Sequence, residues 1–209
     1  MRILRIMFLA ALLFLLTGCW VFSLQQTYED KDLTSDEQLV GAWWQPGAGC
    51  TLTVTKDPKE QAYLLGYTSP KTSGENNCLF DPGTKIKLAG HLFHLASREY
   101  IDLAPVDKDV CFPCQPLHSA YQVAVQKSSL SLIPLDYNWL DTALSAQTVS
   151  ADRIKSPDYD LVLTGTTKEL QQLYSKYADN DEAFKPNPLL TFQRRPAEST
   201  RPARPPRKR

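Results

Sequence analysis

The residues of this chain best suited to chemistry are its five cysteines and three histidines. The densest grouping is "CFPCQPLH", Cys111 to His118. A Cys-x-x-Cys pair can act as a redox dithiol when its first thiol sits at a helix N-terminus, where the thiolate is stabilised. Pro116 stands where that helix would have to continue, and no β-α-β pattern surrounds the motif, so this reading is poorly supported. A second reading is a zinc site built from Cys111, Cys114, His118 and either Cys50 or Cys78. The ligand types suit zinc, but the spacing to the distant cysteines matches no finger pattern. The third reading is structural. Cys50, Cys78, Cys111 and Cys114 are an even set, which in an oxidising compartment forms two disulfides. Three pairings are possible, and Cys50–Cys78 with Cys111–Cys114 is preferred, because a Cys-x-x-Cys closes locally while the other two flank adjacent strands. Cys111 and Cys114 could alternatively serve as a thiol or metal sensor.

His91 and His94 are three residues apart in a strand-like run, a spacing that sends them to opposite faces. No resident metal and no cofactor is therefore expected. The chain lacks the nucleophile-elbow, metalloprotease-helix and glycine-rich phosphate-binding patterns. Asp102, Asp107 and Asp109 lie close together in sequence, and any two carboxylates can form an acid–base pair if space permits. Nothing in the sequence singles one pair out, so a non-catalytic protein is expected.

Cys19 has a different setting. Arg2 and Arg5 precede an uninterrupted apolar run, Ile6 to Leu16, followed by Thr17, Gly18 and the cysteine. That is the layout of a secretory signal over residues 1–18, and the run is short of the roughly 20 apolar residues a spanning helix needs. Leu16-Thr17-Gly18-Cys19 resembles the lipobox of bacterial lipoproteins. The resemblance implies that the Cys19 thiol is diacylated, that the signal is cut before it, and that the new amino group is acylated. Several acyl chains, at about 0.8 kcal/mol per buried methylene, anchor far better than one. The resemblance also implies a bacterial cell envelope and a periplasm-facing body. Trp20 follows the cysteine where an aspartate would signal inner-membrane retention, so the outer membrane is favoured.

Equal totals of 23 Lys/Arg and 23 Asp/Glu conceal an asymmetry. The tail from residue 194 to 209 carries seven Lys/Arg and one Glu, whereas residues 19–193 carry 14 Lys/Arg and 22 Asp/Glu. Rich in proline and arginine and without apolar periodicity, 194–209 is expected to be disordered. It could contact anionic lipid or an acidic envelope partner. Nucleic acid is not expected in the envelope. Residues 19–36 are expected to be a lipidated tether, and 37–193 a single globular domain.

Within that domain, period-2 alternation dominates. Strands are expected at 39–44, 50–56 and 62–69, in three runs between 85 and 105, and at 120–126, 130–135, 160–165 and 189–193. Helices are expected at 138–146 and 166–178. In the second, Thr166 and Glu169 form a capping-box pair, and Leu170, Leu173, Tyr174 and Tyr177 share one face. The fold class is all-β: an antiparallel meander forming a small barrel or sandwich, with one late amphipathic helix. Gly41-Ala42-Trp43 in an early strand, the helix at 166–178 and the closing strand resemble the lipocalin arrangement. The resemblance implies that Arg194 or Arg195 packs over Trp43 at the closed end of a barrel.

Two functions compete on this basis. One is an interaction module for an envelope protein partner. The other is a lipocalin-like carrier or sensor of a small hydrophobic ligand, with Tyr63, Tyr67, Phe93 and Tyr121 as its inward-facing aromatics.

Overall fold

Eleven strands and two helices follow one another in the computed structural model, which describes residues 20–58, 60–71, 78–106, 116–155 and 161–195. Eight strands close into an antiparallel barrel. In order around it they are β11 (Thr191–Arg194), β2 (Gly41–Trp44), β3 (Thr51–Lys56), β4 (Tyr63–Thr68), β5 (Lys85–Leu95), β6 (Arg98–Pro105), β7 (Ser119–Val125) and β8 (Ser129–Pro134). Seven of them run in chain order, and β11 closes the sheet between β8 and β2. β11 runs to Arg194, and the Arg195 amide donates to Ala42 O at 2.9 Å, so residues 194 and 195 belong to the barrel.

Alternation explains the strands. In β3 Leu52 and Val54 are buried and Thr53 and Thr55 exposed; in β4 Tyr63, Leu65 and Tyr67 turn inward. The interior is one apolar cluster that includes Trp43, Leu52, Leu65, Leu92, Ile101, Leu130 and Phe192. Short hairpins link strands at one end, such as Gln126 pairing with Ser129 between β7 and β8. The other end carries the connections β2–β3, β4–β5 and β6–β7. Cys50, fully buried, bonds Cys78 there, across a Cα–Cα distance of 5.9 Å.

A second apolar layer covers part of the outer barrel wall. Phe93 on β5, Tyr100 on β6 and Ala120 on β7 face outward into it. It is completed by α1 (Tyr137–Ser145), α2 (Thr167–Lys176) and a small sheet of β1 (Val21–Ser23), β10 (Leu161–Leu163) and β9 (Arg153–Ile154), in the order β1-β10-β9. The run expected as a barrel strand at 160–165 thus lies outside the barrel. Asp136 caps α1 by accepting from the Trp139 amide. Thr166 and Glu169 form the capping box of α2, and its buried face is Leu170, Leu173 and Tyr174. None of the described helices is long and apolar enough to cross a membrane.

The expected tether is corrected. Residues 20–36 are built into the body rather than strung before it. Val21 and Tyr28 are buried in the outer layer, and β1 pairs in parallel with β10. The Thr34 amide donates to Leu92 O, and Leu33 bridges Phe93. The physical reason is the spacing of Val21, Tyr28 and Leu33, each of which meets an apolar site left open on the outer wall of β5–β7.

Candidate functional site

Three places collect the residues singled out by sequence: the barrel interior, its short-hairpin end, and the outer wall beneath residues 20–35.

Within the interior, Tyr63, Tyr67 and Tyr121 all point inward as core side chains, exposed by no more than 6%. Two of their hydroxyls are occupied by the chain itself. Tyr63 Oη accepts from the Asp36 amide at 2.8 Å, and Tyr67 Oη accepts from the Leu79 amide at 3.0 Å. Burial pushes the Tyr121 phenol up to about 12. Phe93, the fourth candidate, is corrected. It faces outward, stacked on Tyr100 with ring centroids 5.6 Å apart. Gly90 shows how full the centre is. A Cβ added there would lie 2.6 Å from Leu65 Cδ1 and 2.9 Å from Ile101 Cδ1, inside any normal contact distance. Interiors packed this way have no room for a further methyl without displacement.

At the short-hairpin end the Arg194 guanidinium stands 4.2 Å from the centroid of the Trp43 ring. Its Nε donates to Lys127 O (3.0 Å), Nη1 to Val40 O (3.1 Å) and Nη2 to Gln38 O (2.6 Å). Trp43 Nε1 in turn donates to Leu39 O at 2.9 Å. Gly41 adopts φ +145°, and a Cβ there would come within 2.6 Å of Arg194 Nη1. The glycine therefore makes room for the arginine and supplies backbone geometry that other residues rarely adopt. One cation satisfies two carbonyls where the chain enters the barrel and one in the β7–β8 hairpin. This is a clasp.

Beneath residues 20–35, Asp102 is almost completely buried. Its Oδ1 lies 2.7 Å from His118 Nδ1, and its Oδ2 accepts from the Thr27 amide at 2.8 Å. His91, paired across β5 and β6 with Asp102, stacks on Tyr28 with centroids 4.7 Å apart. Burial, helped by nearby Asp102, pushes the Tyr28 phenol up to about 12. Burial also lowers the His91 imidazole, against the opposing pull of Asp102. A histidine oriented by a buried carboxylate is half of a nucleophile-activating unit. Of the nearby hydroxyls, Ser119 Oγ donates to Val21 O and Ser23 Oγ to Gln25 O, whereas Thr27 Oγ1 is buried with no hydrogen-bond partner among the described residues. Through the Thr27 amide, Asp102 fastens residues 20–35 to the barrel. Of the loop carboxylates named with it, Asp107 and Asp109 lie outside the described residues.

Cys19, Cys111, Cys114 and the tail beyond residue 195 also lie outside them. The Cys50–Cys78 disulfide takes both thiols that could have completed the zinc set, so that four-ligand site loses its fourth member. His91 and His94 lie on β5 with His91 beneath Tyr28 and His94 exposed. Among the described residues no group of three or more His, Cys, Asp or Glu could hold a metal ion. The clasp was legible as Gly-x-Trp plus a late arginine. The Asp102–His118 pair was not, since 16 residues separate its members and no motif links them.

The fold and these sites define an eight-stranded antiparallel barrel with an apolar interior and an outer layer of two helices and a small sheet. No protein-family model, no curated protein and no solved structure matches the chain.

Proposed function

We propose that the chain is a lipid-anchored bacterial envelope protein, non-catalytic, whose barrel domain is a binding module for an envelope protein partner. Cys19 carries the lipid, the body faces the periplasm, and the outer membrane is its favoured site. The basic tail beyond residue 195 adds a contact for anionic lipid or an acidic partner. The observation that supports a surface-binding role is the close packing around Gly90, where an added Cβ would lie 2.6 Å from Leu65 Cδ1 and 2.9 Å from Ile101 Cδ1. The hydroxyls of Tyr63 and Tyr67, already paired with backbone, support it further. The resemblance to lipocalins is accordingly one of outline, and a carrier role draws no support from the aromatic residues that suggested it.

Native intact-mass measurement of the gently purified chain tests this. The expected spectrum contains the protein with no small-molecule adduct. An added mass of a few hundred daltons that leaves on denaturation would replace the interaction module with a carrier.

A further inference from the structure

Charge is spread unevenly over the barrel wall. Residues 19–193 carry 22 Asp/Glu. Yet β8, β11, β2, β3, β4 and β5, neighbours around the barrel, contain no carboxylate. The outer layer packs on β5, β6 and β7, whereas the outward side chains of β2, β3 and β4 are exposed or half-buried. Register lines the outward residues of this open wall into rows. One runs Ser129, Gln193, Trp44, Thr51, Thr68, Lys85. The next runs Arg195, Ala42, Thr53, Gly66, Lys87, with the Arg195 amide donating to Ala42 O at 2.9 Å. Lys85, Lys87 and Arg195 are exposed. At about 4.8 Å per strand, the second row is about 19 Å long, with a cation at each end.

Two residues on this wall are unexplained by the fold. Trp20 and Trp43 pack in the interior cluster and Trp139 in the outer one, but half-buried Trp44 belongs to neither. Its indole N–H has no hydrogen-bond partner among the described residues. Exposed tryptophans of this kind are the usual anchors of binding surfaces. Gly66 sits in mid-strand without a positive φ, and a Cβ added there would meet nothing within 4 Å. Neither backbone nor packing therefore calls for glycine, although it weakens a strand by about 0.5–1 kcal/mol relative to alanine. A strand glycine of that sort marks a place where something approaches the backbone closely. Ala42, Thr53 and Gly66 form a low floor beside Trp44, between Arg195 and Lys87. An indole takes the C–H face of a sugar ring, the Thr51 and Thr68 hydroxyls and the Gln193 amide exchange hydrogen bonds with its hydroxyls, and the cations take carboxylates. Charge complementarity thus calls for an anionic ligand with a neutral middle. Nucleic acid fits less well, since its phosphates recur at every nucleotide and need cations along the whole track.

We propose that this strip binds an anionic glycan, a chain of amino sugars bearing carboxylates, stacked on Trp44 and laid across Gly66 with its carboxylates at Lys85, Lys87 and Arg195. The cell-wall strand is the anionic glycan that an envelope protein meets, so the choice of glycan, though not the strip, rests on the location proposed for the chain. Binding is measured on purified protein: its failure leaves the lipid anchor standing, and an unacylated Cys19 leaves the strip standing.

The test is calorimetric titration of the mature, disulfide-intact chain. The probe is soluble cell-wall glycan strands stripped of their stem peptides, which keep a lactyl carboxylate on every second sugar. Chitohexaose, with the same amino-sugar backbone and no carboxylate, is the comparison and is expected to bind several-fold more weakly. Trp44→Ala should weaken binding of the strands by about tenfold or more, the loss expected of an aromatic anchor. Gly66→Val, whose side chain enters open space, should keep the Tm of the wild type and weaken binding by a similar factor. Binding through the basic tail alone would be indifferent to both substitutions. No binding of the strands, wild-type affinity in either variant, or equal affinity for chitohexaose overturns the proposal. Tighter binding of a single-stranded oligothymidylate than of the strands assigns the strip to nucleic acid and overturns it as well.

Discussion

Replacing Gly90 with alanine adds one methyl group to the middle of the barrel, and its cost reports directly how full that barrel is. The new carbon would meet Leu65 Cδ1 at 2.6 Å, Ile101 Cδ1 at 2.9 Å and Leu103 Cδ2 at 3.1 Å. All three are ends of flexible side chains, but Leu65 and Ile101 are exposed by 3% and 1%, so neither can swing into solvent. Overpacking of this sort costs about 1–3 kcal/mol. Alanine in a strand regains about 0.5–1 kcal/mol by restricting the unfolded chain. The net expectation is a loss of about 1–2 kcal/mol. For a domain of this size each kcal/mol moves Tm by about 2–4 °C, so Tm should fall by about 2–8 °C. Thermal and urea unfolding of the disulfide-intact proteins, side by side, measure it. Leu65→Ala in the Gly90→Ala background should cost less than Leu65→Ala alone, because the added methyl fills part of the space it leaves. A Gly90→Ala protein as stable as the wild type, or more stable, would refute the reasoning: the barrel would then hold a cavity, and a ligand cup would return.

Arg194→Ala removes a cation–π contact and three hydrogen bonds to carbonyls, two of them exposed, and should cost about 2–3 kcal/mol; Arg194→Lys should recover less than half of that in urea unfolding, because a lysine cannot reach all three carbonyls. Asp102→Ala leaves the Thr27 amide and His118 without their shared acceptor and should cost about 3 kcal/mol, with amide exchange at residues 21–35 accelerating before that of the barrel strands. Burial lowers the His91 pKa from its ordinary 6.5, so the fold binds fewer protons there than the unfolded chain does. The stability this histidine contributes is complete above about 6.5 and declines as pH falls below that value; His91→Phe, which keeps a ring beneath Tyr28, should flatten the fall in Tm between pH 7.5 and 5.5.

Where one face of a strand is buried and the other is wet, sequence reads cleanly. Thr51–Lys56 alternates because its threonines meet water and Leu52 and Val54 meet the core. The Thr166–Glu169 box is equally visible, since a capping pair and a 3.6-residue stripe are local. Reading failed where both faces are buried. On β5 the inward series Leu88, Gly90, Leu92 alternates with Ala89, His91, Phe93, and the outer series is itself partly covered, with Ala89 and His91 half-buried and Phe93 buried. Nothing in composition marks which series faces in, so Phe93 fell on the wrong side, and the single 11-residue strand read as two shorter ones. The outer layer hid for a related reason. Its strands have two or three residues, too short for a period to show. Residues 20–36 looked like a tether because acidic and polar neighbours dilute Val21, Tyr28 and Leu33, and only the tertiary fold shows that each has a site waiting. The buried Asp102 reads as surface until His118 and the Thr27 amide are seen against it.

Everything proposed about location rests on one thiol. Bacterial cells expressing the full chain, and the same chain with Cys19→Ser, would be fed an alkyne-bearing palmitate analogue, fractionated into membrane and soluble material, and probed for label on the protein. The account predicts a labelled wild-type chain that pellets with membranes and resists salt extraction, and an unlabelled Cys19→Ser chain. A wild-type chain that carries no label and is recovered in the soluble periplasmic fraction would contradict it.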